Sequence, residues 1–214
     1  MNIWDHSRLS VRKFGGEEQD YYAIHKFIDS SKLFYFHVKH RLLLHHLLGI
    51  EWTVQKFGDC LTNKEGTVLL VRDIAAEHLK EDHNGSVPSV YDWLSDQEEI
   101  LGPQLSLPNF ESTDTALEQL VLTPLWRSNL QSALLITCSN FGVYLAKELL
   151  GMEAAQRLHH LLEGQAPVQH YLQQFTFTQR WQFSPDRQEL AWLKQDKTEP
   201  SSSSKHSIIT NTTL

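Results

Sequence analysis

The chain has 214 residues, 41% of them hydrophobic and 21% charged, with a net charge of −7 at pH 7. That composition packs a core, in one large domain or two small ones, and its acidic balance speaks against sequence-independent nucleic-acid binding, which needs a basic surface. Cys60 and Cys138 form neither a disulfide framework nor a CxxC pair and fit a reducing compartment. The first residues, MNIWDHSRLS, lack a basic-then-apolar leader, and no apolar run approaches the ~18 residues of a membrane span. The expectation is a cytoplasmic protein that does not enter a membrane.

Along the chain, Trp4 and Leu9 precede a Gly15-Gly16 break. Asp20 is placed to cap a helix whose apolar positions, Tyr21, Ile24, Phe27 and Ile28, follow helical spacing. Residues 32–57 read as the strongest helix, apolar almost all round from Leu33 to Phe57, which implies burial on most sides. Polar groups on such a helix have to be paired or functional. Gly49 in its middle costs about 1 kcal/mol against Ala, and either permits close packing or marks a break. Gly58 ends the segment. A turn at 62–66 and the β-branched run 67–71 predict a small hairpin with Cys60-Leu61.

Asp73 reads as the cap of a helix through Ile74, His78 and Leu79 that stops before Asn84-Gly85. Ser86 or Ser89 is placed to cap a short helix carrying Tyr91, Trp93 and Leu94. Residues 102–109 read as a linker, followed by helical stretches at 115–122, 125–150 with breaks, and 153–162. Residues 175–178 alternate as a strand would, and Trp181, Phe183, Leu190, Trp192 and Leu193 still have apolar surface to bury. Beyond Lys194 the chain is polar and serine-rich. No internal repeat is visible. The predicted fold is mainly α, a helical bundle with a small β-hairpin and a helical C-terminal extension. Its expected segments are a histidine-rich domain at 1–100, the extension at 101–194 and a disordered tail at 195–214.

Histidine is the unusual residue: 12 in all, eight of them at or before position 83. His25 and Asp29 are four apart and share a helical face; such a pair supplies two metal ligands or a carboxylate-oriented imidazole. His37 and His40 are three apart, with His45 on the flank of their stripe and His46 pointing elsewhere. A third group runs from Glu77-His78 to Glu81-Asp82-His83 and again holds a pair four apart, His78 and Asp82. Each pair alone is weak. If the three groups converge, they form a mixed His/carboxylate site that suits Zn, Fe or Mn. A metal site and a metal-free polar network carry equal weight on these grounds. His45-His46 resembles the histidine–aspartate hydrolases only loosely, since the chain has no His-Asp dipeptide. His-Glu-x-x-His, nucleotide-cradling glycine loops and the hydrolase elbow are also absent. His159-His160 reads as surface, and both cysteines as small buried residues. Trp126-Arg127 and the aromatics from Phe175 to Phe183 read as core rather than as a docking surface, at about two to one.

The order His25-x3-Asp29-x2-Lys32, His40-Arg41-x3-His45-His46-x2-Gly49, Val71-Arg72, His78-x2-Glu81-Asp82, Pro88 and Asp92-Trp93-Leu94 resembles a family of short bacterial and phage proteins that carries a domain-of-unknown-function label. The resemblance covers about residues 1–100. It implies a shared fold and polar site, made of His25, Asp29, His40, His45 and His78, without implying an activity. Arg41 either binds a substrate anion through its fork or pairs with a buried carboxylate such as Asp29 or Asp82.

Two functions fit. One is a metal-dependent enzyme, hydrolytic in character, with His25, Asp29, His40, His45 and His78 as ligands, and Asp82 and Arg41 in catalytic roles. The other is a non-enzymatic binding or assembly protein whose extension, 101–194, carries a surface for a protein partner.

Overall fold

The computed structural model describes residues 2–35, 38–110 and 114–178. Helix α1 (Ile3–Phe14) starts where the Asn2 side chain accepts the Asp5 N–H. Helix α2 (Glu18–Ile28) is capped by Glu17 rather than Asp20. Asp20 stands in the first turn, and its carboxylate accepts the Glu17 N–H in a reciprocal capping box. A 3₁₀ turn, Asp29–Leu33, continues the path.

The single helix expected over 32–57 is not formed. A 3₁₀ turn (Val38–His40) leads into α3 (Arg41–Leu44), the chain breaks at His45 and His46, and α4 (Leu47–Phe57) follows. The break has a clear cause. His46 is extended, at φ −154° and ψ 168°, and its buried imidazole caps α4. Its Nδ1 accepts the Gly49 N–H at 3.0 Å, and its Nε2 donates to the Leu43 carbonyl at 3.1 Å. The Leu44 carbonyl turns into the space beside Gly49, where a Cβ would stand 1.8 Å from its oxygen. Gly49 therefore marks a break and a close approach together. Polar pairing of His46 substitutes for the continuous helix that apolar patterning alone suggests.

The hairpin forms as expected. Strand β1 (Cys60–Thr62) pairs antiparallel with β2 (Val68–Leu70), with Leu61 opposite Leu69. It feeds directly into α5 (Val71–Asp82), so Asp73 lies in the first turn rather than at the cap. Ser89 caps α6 (Val90–Leu94) in a capping box with Asp92. Helix α7 (Glu98–Leu101) runs up to the expected linker, and a 3₁₀ turn (Gly102–Gln104) takes up its first residues. Then come α8 (Thr115–Ser128), α9 (Leu134–Thr137), α10 (Asn140–Leu150), α11 (Met152–Leu161) and α12 (Val168–Gln174). The fold is mainly α with one hairpin.

Residues 175–178 form no strand; Phe175 is buried beside the Trp93 ring instead. Trp126 is 60% exposed and Cys60 is exposed, against the expectation of burial for both, whereas Cys138 is buried. Trp181, Phe183, the further apolar residues to Leu193 and the expected tail lie outside the described residues, as does His37. No single helix among the described residues is long and apolar enough to cross a membrane.

One apolar cluster runs from Phe27 through Leu42, Leu43 and Trp52 to Leu134, Phe141 and Phe175, so its packing crosses position 100. The described residues all belong to one compact body. A second cluster, Tyr21, Ile24, Ile28, Ile50, Ile74 and Leu79, lies among α2, α4 and α5.

The structure also contains a repeat that the sequence hides. The segment from the Val38–His40 turn to Gly58 recurs 93 residues downstream, from the Gln131–Ala133 turn to Gly151. Each has a 3₁₀ turn, a four-residue helix, a break, and an eleven-residue helix ending at a positive-φ glycine, Gly58 at 85° and Gly151 at 96°. At the break, His45 (φ −87°, ψ 63°) matches Cys138 (φ −87°, ψ 53°). His46 matches Ser139, which is extended and caps α10 through the Gly142 N–H. A Cβ on Gly142 would stand 1.8 Å from the Thr137 carbonyl oxygen, as one on Gly49 would from that of Leu44.

The same spacing relates the buried Ile24, Phe27 and Ile28 of α2 to Leu117, Leu120 and Val121 of α8, and the buried His78, Leu79 and Asp82 of α5 to Tyr171, Leu172 and Phe175. Equivalent helices α4 and α10 pack on one another. Two contacts between the repeat units are reciprocal. Glu51 pairs with Arg127, the counterpart of Phe34, and Phe34 meets Tyr144, the counterpart of Glu51. Exchange of roles of this kind marks a twofold relationship.

Candidate metal centre

Four side chains from three chain segments converge. Asp29 stands where α2 passes into its 3₁₀ turn, His45 at the break after α3, and His78 and Asp82 one turn apart on α5. All four are buried. Taking Asp29 Oδ1, His45 Nε2, His78 Nε2 and Asp82 Oδ2, the atoms lie within 4.8 Å of one another. His45 Nε2 is 3.2 Å from Asp82 Oδ2, 3.3 Å from His78 Nε2 and 3.6 Å from Asp29 Oδ1. His78 Nε2 is 3.7 Å from Asp29 Oδ1 and 4.0 Å from Asp82 Oδ2. Ligands at 2.0–2.1 Å from a tetrahedral ion stand about 3.3–3.4 Å apart. The shortest separations here match that edge and the longer ones exceed it, so the donors would draw inward around an ion. Asp29 Oδ1 has no hydrogen-bond partner among the described residues, which is costly for a buried carboxylate oxygen and fits an oxygen kept for a cation.

Other polar groups stand behind these four. His25 Nδ1 is 2.9 Å from His78 Nδ1, and Ser10 Oγ is 2.9 Å from His25 Nε2, so a Ser10–His25 chain fixes the His78 ring with Nε2 aimed inward. The His6 ring stacks on His78 with centroids 3.8 Å apart, and its Nδ1 meets Glu81 Oε2 at 2.5 Å. Lys32 donates to Asp29 Oδ2 at 2.8 Å, and Arg41 Nε lies 3.2 Å from Asp82 Oδ2. His40 is held by Ser31 at 2.8 Å, with its ring edge-on to His45.

Burial, with the neighbouring imidazoles, pushes His40 and His78 well below the usual histidine range and His25 down to about 3. These rings are neutral near pH 7, the form in which a ring nitrogen offers its lone pair. Burial alone would raise the carboxyls of Asp29 and Asp82. The His45 ring, with His78 and either Lys32 or Arg41, outweighs it and holds both well below the carboxylate norm. Two imidazoles and two carboxylates are a donor set suited to Zn, Fe or Mn.

Of the residues singled out from sequence, Asp29, His45 and His78 meet at one point, and Asp82 joins them. His25 and His40 stand one layer back, through His78 and Ser31. Arg41 is buried against Asp82, the clamp alternative. Residues 159–160 are exposed. Sequence reasoning placed Glu81 in the third group but gave no role to His6, Ser10 or Ser31. The one available signal was the four-residue spacing of His6 and Ser10 on α1.

The site's class is thus a buried His/carboxylate cluster that could hold a metal ion, within a mainly α fold. Residues 1–100 match the model of a family described as a domain of unknown function, DUF6915. No curated protein and no solved structure matches the chain.

Proposed function

We propose that the protein is a metal-dependent hydrolase built on one divalent ion, Zn, Fe or Mn, held by Asp29, His45, His78 and Asp82. The observation that carries this reading is the convergence of four donor atoms at metal-ligand spacing. The second repeat unit supports it independently. There the positions of the four donors are filled by Leu122, Cys138, Tyr171 and Phe175, and those of His40 and Arg41 by Ala133 and Leu134. The matching segment, 131–151, therefore keeps the turn, the break and the capped helix of 38–58 without the polar cluster. A fold that does not need two buried carboxylates and their imidazoles keeps them for chemistry, given what burying them costs.

A bound ion would polarise a substrate oxygen and lower the pKa of water. The chain's own groups orient the donors: Lys32 and Arg41 fix the two carboxylates, and Ser10 with His25 fixes His78. His6 Nδ1 meets the part-exposed Glu81, and its ring stacks on His78 and holds that donor from the α1 side.

The test is elemental analysis of untagged protein, wild type against His45→Ala and Asp82→Asn, with hydrolysis of nitrophenyl phosphate and nitrophenyl acetate measured before and after chelation. One ion per chain, absent in both variants, is expected, with activity that follows it. Folded wild type that retains no ion from Zn, Fe or Mn solutions sinks the reading. The alternative, a protein-partner surface on the extension, draws on exposed Trp126 and Met152. It expects a complex that Trp126→Ala disrupts, and identical pull-downs from wild type and variant would exclude that surface.

A further inference from the structure

A cleft of about 540 Å³ opens beside the metal centre, between the two repeat units. Its size falls within the ~300–1,000 Å³ of small-molecule sites. Asp29 lines it, so one residue belongs both to the converging donors and to the cleft wall. The apolar walls come from Ala23, Phe27, Phe57 and, out of the second unit, Tyr144.

Three lysines line the same cleft. Lys56 is neutralised by Glu148 at 2.5 Å and lies over the rings of Phe27 and Phe57. Lys32 is bonded to Asp29 Oδ2. Lys26 is exposed and makes no ion pair among the described residues. Against Asp29 and Glu148, the lining carries one cation in excess, at the end where α2 approaches the metal donors.

We propose that this cleft is the substrate site of the metal centre, and that it takes a small molecule with a flat apolar body and one anionic group. The inference rests on the metal reading given above. The rings of Phe27, Phe57 and Tyr144 receive the flat body, and Lys26, with Lys32 beside Asp29, receives the anion. The second unit, which has no donor set of its own, then serves the first by supplying Tyr144 and Glu148 as the far wall of its cleft.

The test uses the full chain and two probes, naphthalene sulfonate and uncharged naphthol, titrated into cobalt-loaded and metal-free protein. Expected are one sulfonate per chain, about tenfold weaker binding in Lys26→Glu, loss of binding in Ala23→Trp, which fills the cleft from the α2 wall, and about tenfold weaker binding of naphthol. Saturation is expected to shift the visible spectrum of bound cobalt. Absence of sulfonate binding, equal binding of both probes, indifference to both substitutions, or an unchanged cobalt spectrum overturns the proposal. Sulfonate binding to a chain that takes up no cobalt overturns the metal centre as well, and leaves a ligand site without chemistry. The two failures are therefore distinguishable.

Discussion

His45 and Cys138 occupy the same place in two units of one design. Each follows a four-residue helix, sits at φ −87° with ψ near 60°, and precedes an extended residue whose side chain caps the next helix. One aims a ring nitrogen at three other donors; the other is a buried thiol whose pKa burial pushes up to about 12. The pair separates what the backbone requires from what the chemistry requires.

Replacing any one of the four donors is expected to abolish stoichiometric metal. His25→Ala acts differently, because it removes only the group that orients His78. It should weaken metal affinity about 10–100-fold while leaving one ion per chain at saturation. Equilibrium dialysis separates the two behaviours. Equal affinity in wild type and His25→Ala would show that the Ser10–His25 chain has no part in the site.

Metal should also stabilise the fold. An ion at 1,000 times its dissociation constant adds about 4 kcal/mol if it binds only the folded state. Thermal melts with and without a chelator measure this, and a Tm indifferent to metal would mean that no ion binds the native state.

The metal-free protein should lose stability with acid earlier than carboxylates alone would cause. Burial holds His25 and His46 down to about 3, against 6.5. As pH falls below about 6.5 the unfolded state takes up protons at these rings and the folded state does not, so stability declines from there toward pH 3. At pH 5 each ring has given up about 2 kcal/mol. Asp29 and Asp82, with lowered folded pKa values, add to the loss in the same direction below about 4. His46→Ser, which copies Ser139 of the second unit, keeps a cap and removes one titration. Urea midpoints between pH 7 and 5 should fall less steeply in that variant, and an identical slope would remove His46 from the account.

Gly49→Ala and Gly142→Ala should each destabilise by about 3 kcal/mol, since the added methyl meets a backbone carbonyl that cannot move cheaply. Their effects on metal should differ. The first disturbs the break that carries His45, and the second disturbs a unit without donors. Folded Gly142→Ala is expected to retain one ion per chain by elemental analysis, and Gly49→Ala to bind it more weakly.

Much of the fold was legible where local chemistry decides it. The hairpin followed from a polar turn between Cys60-Leu61 and a β-branched run, and a serine cap before Tyr91 from two candidates, Ser86 and Ser89, of which Ser89 is the cap. The break at His45-His46 was not, because apolar patterning from Leu33 to Phe57 says nothing about a histidine that satisfies helix-end groups on both sides. Gly49 was the one local hint. Histidine spacing located the three groups, but only tertiary packing decides that His25 stands behind His78 while Asp82 stands beside it. The repeat was hidden because burial, capping and two tight glycines recur while few residue identities do. Leu42 and Leu135 or Gly58 and Gly151 coincide, but His45 became Cys138 and Asp82 became Phe175.

The reciprocal contacts of Glu51 with Arg127 and Phe34 with Tyr144 have a consequence for concentration. Two free subunits meeting through such a face would separate on dilution, and a cleft between them would vanish with the complex. Here both halves are on one chain, so each meets the other at a fixed local concentration however dilute the solution. Ligand binding in the cleft should therefore show no dependence on protein concentration, even at the lowest levels a cell keeps.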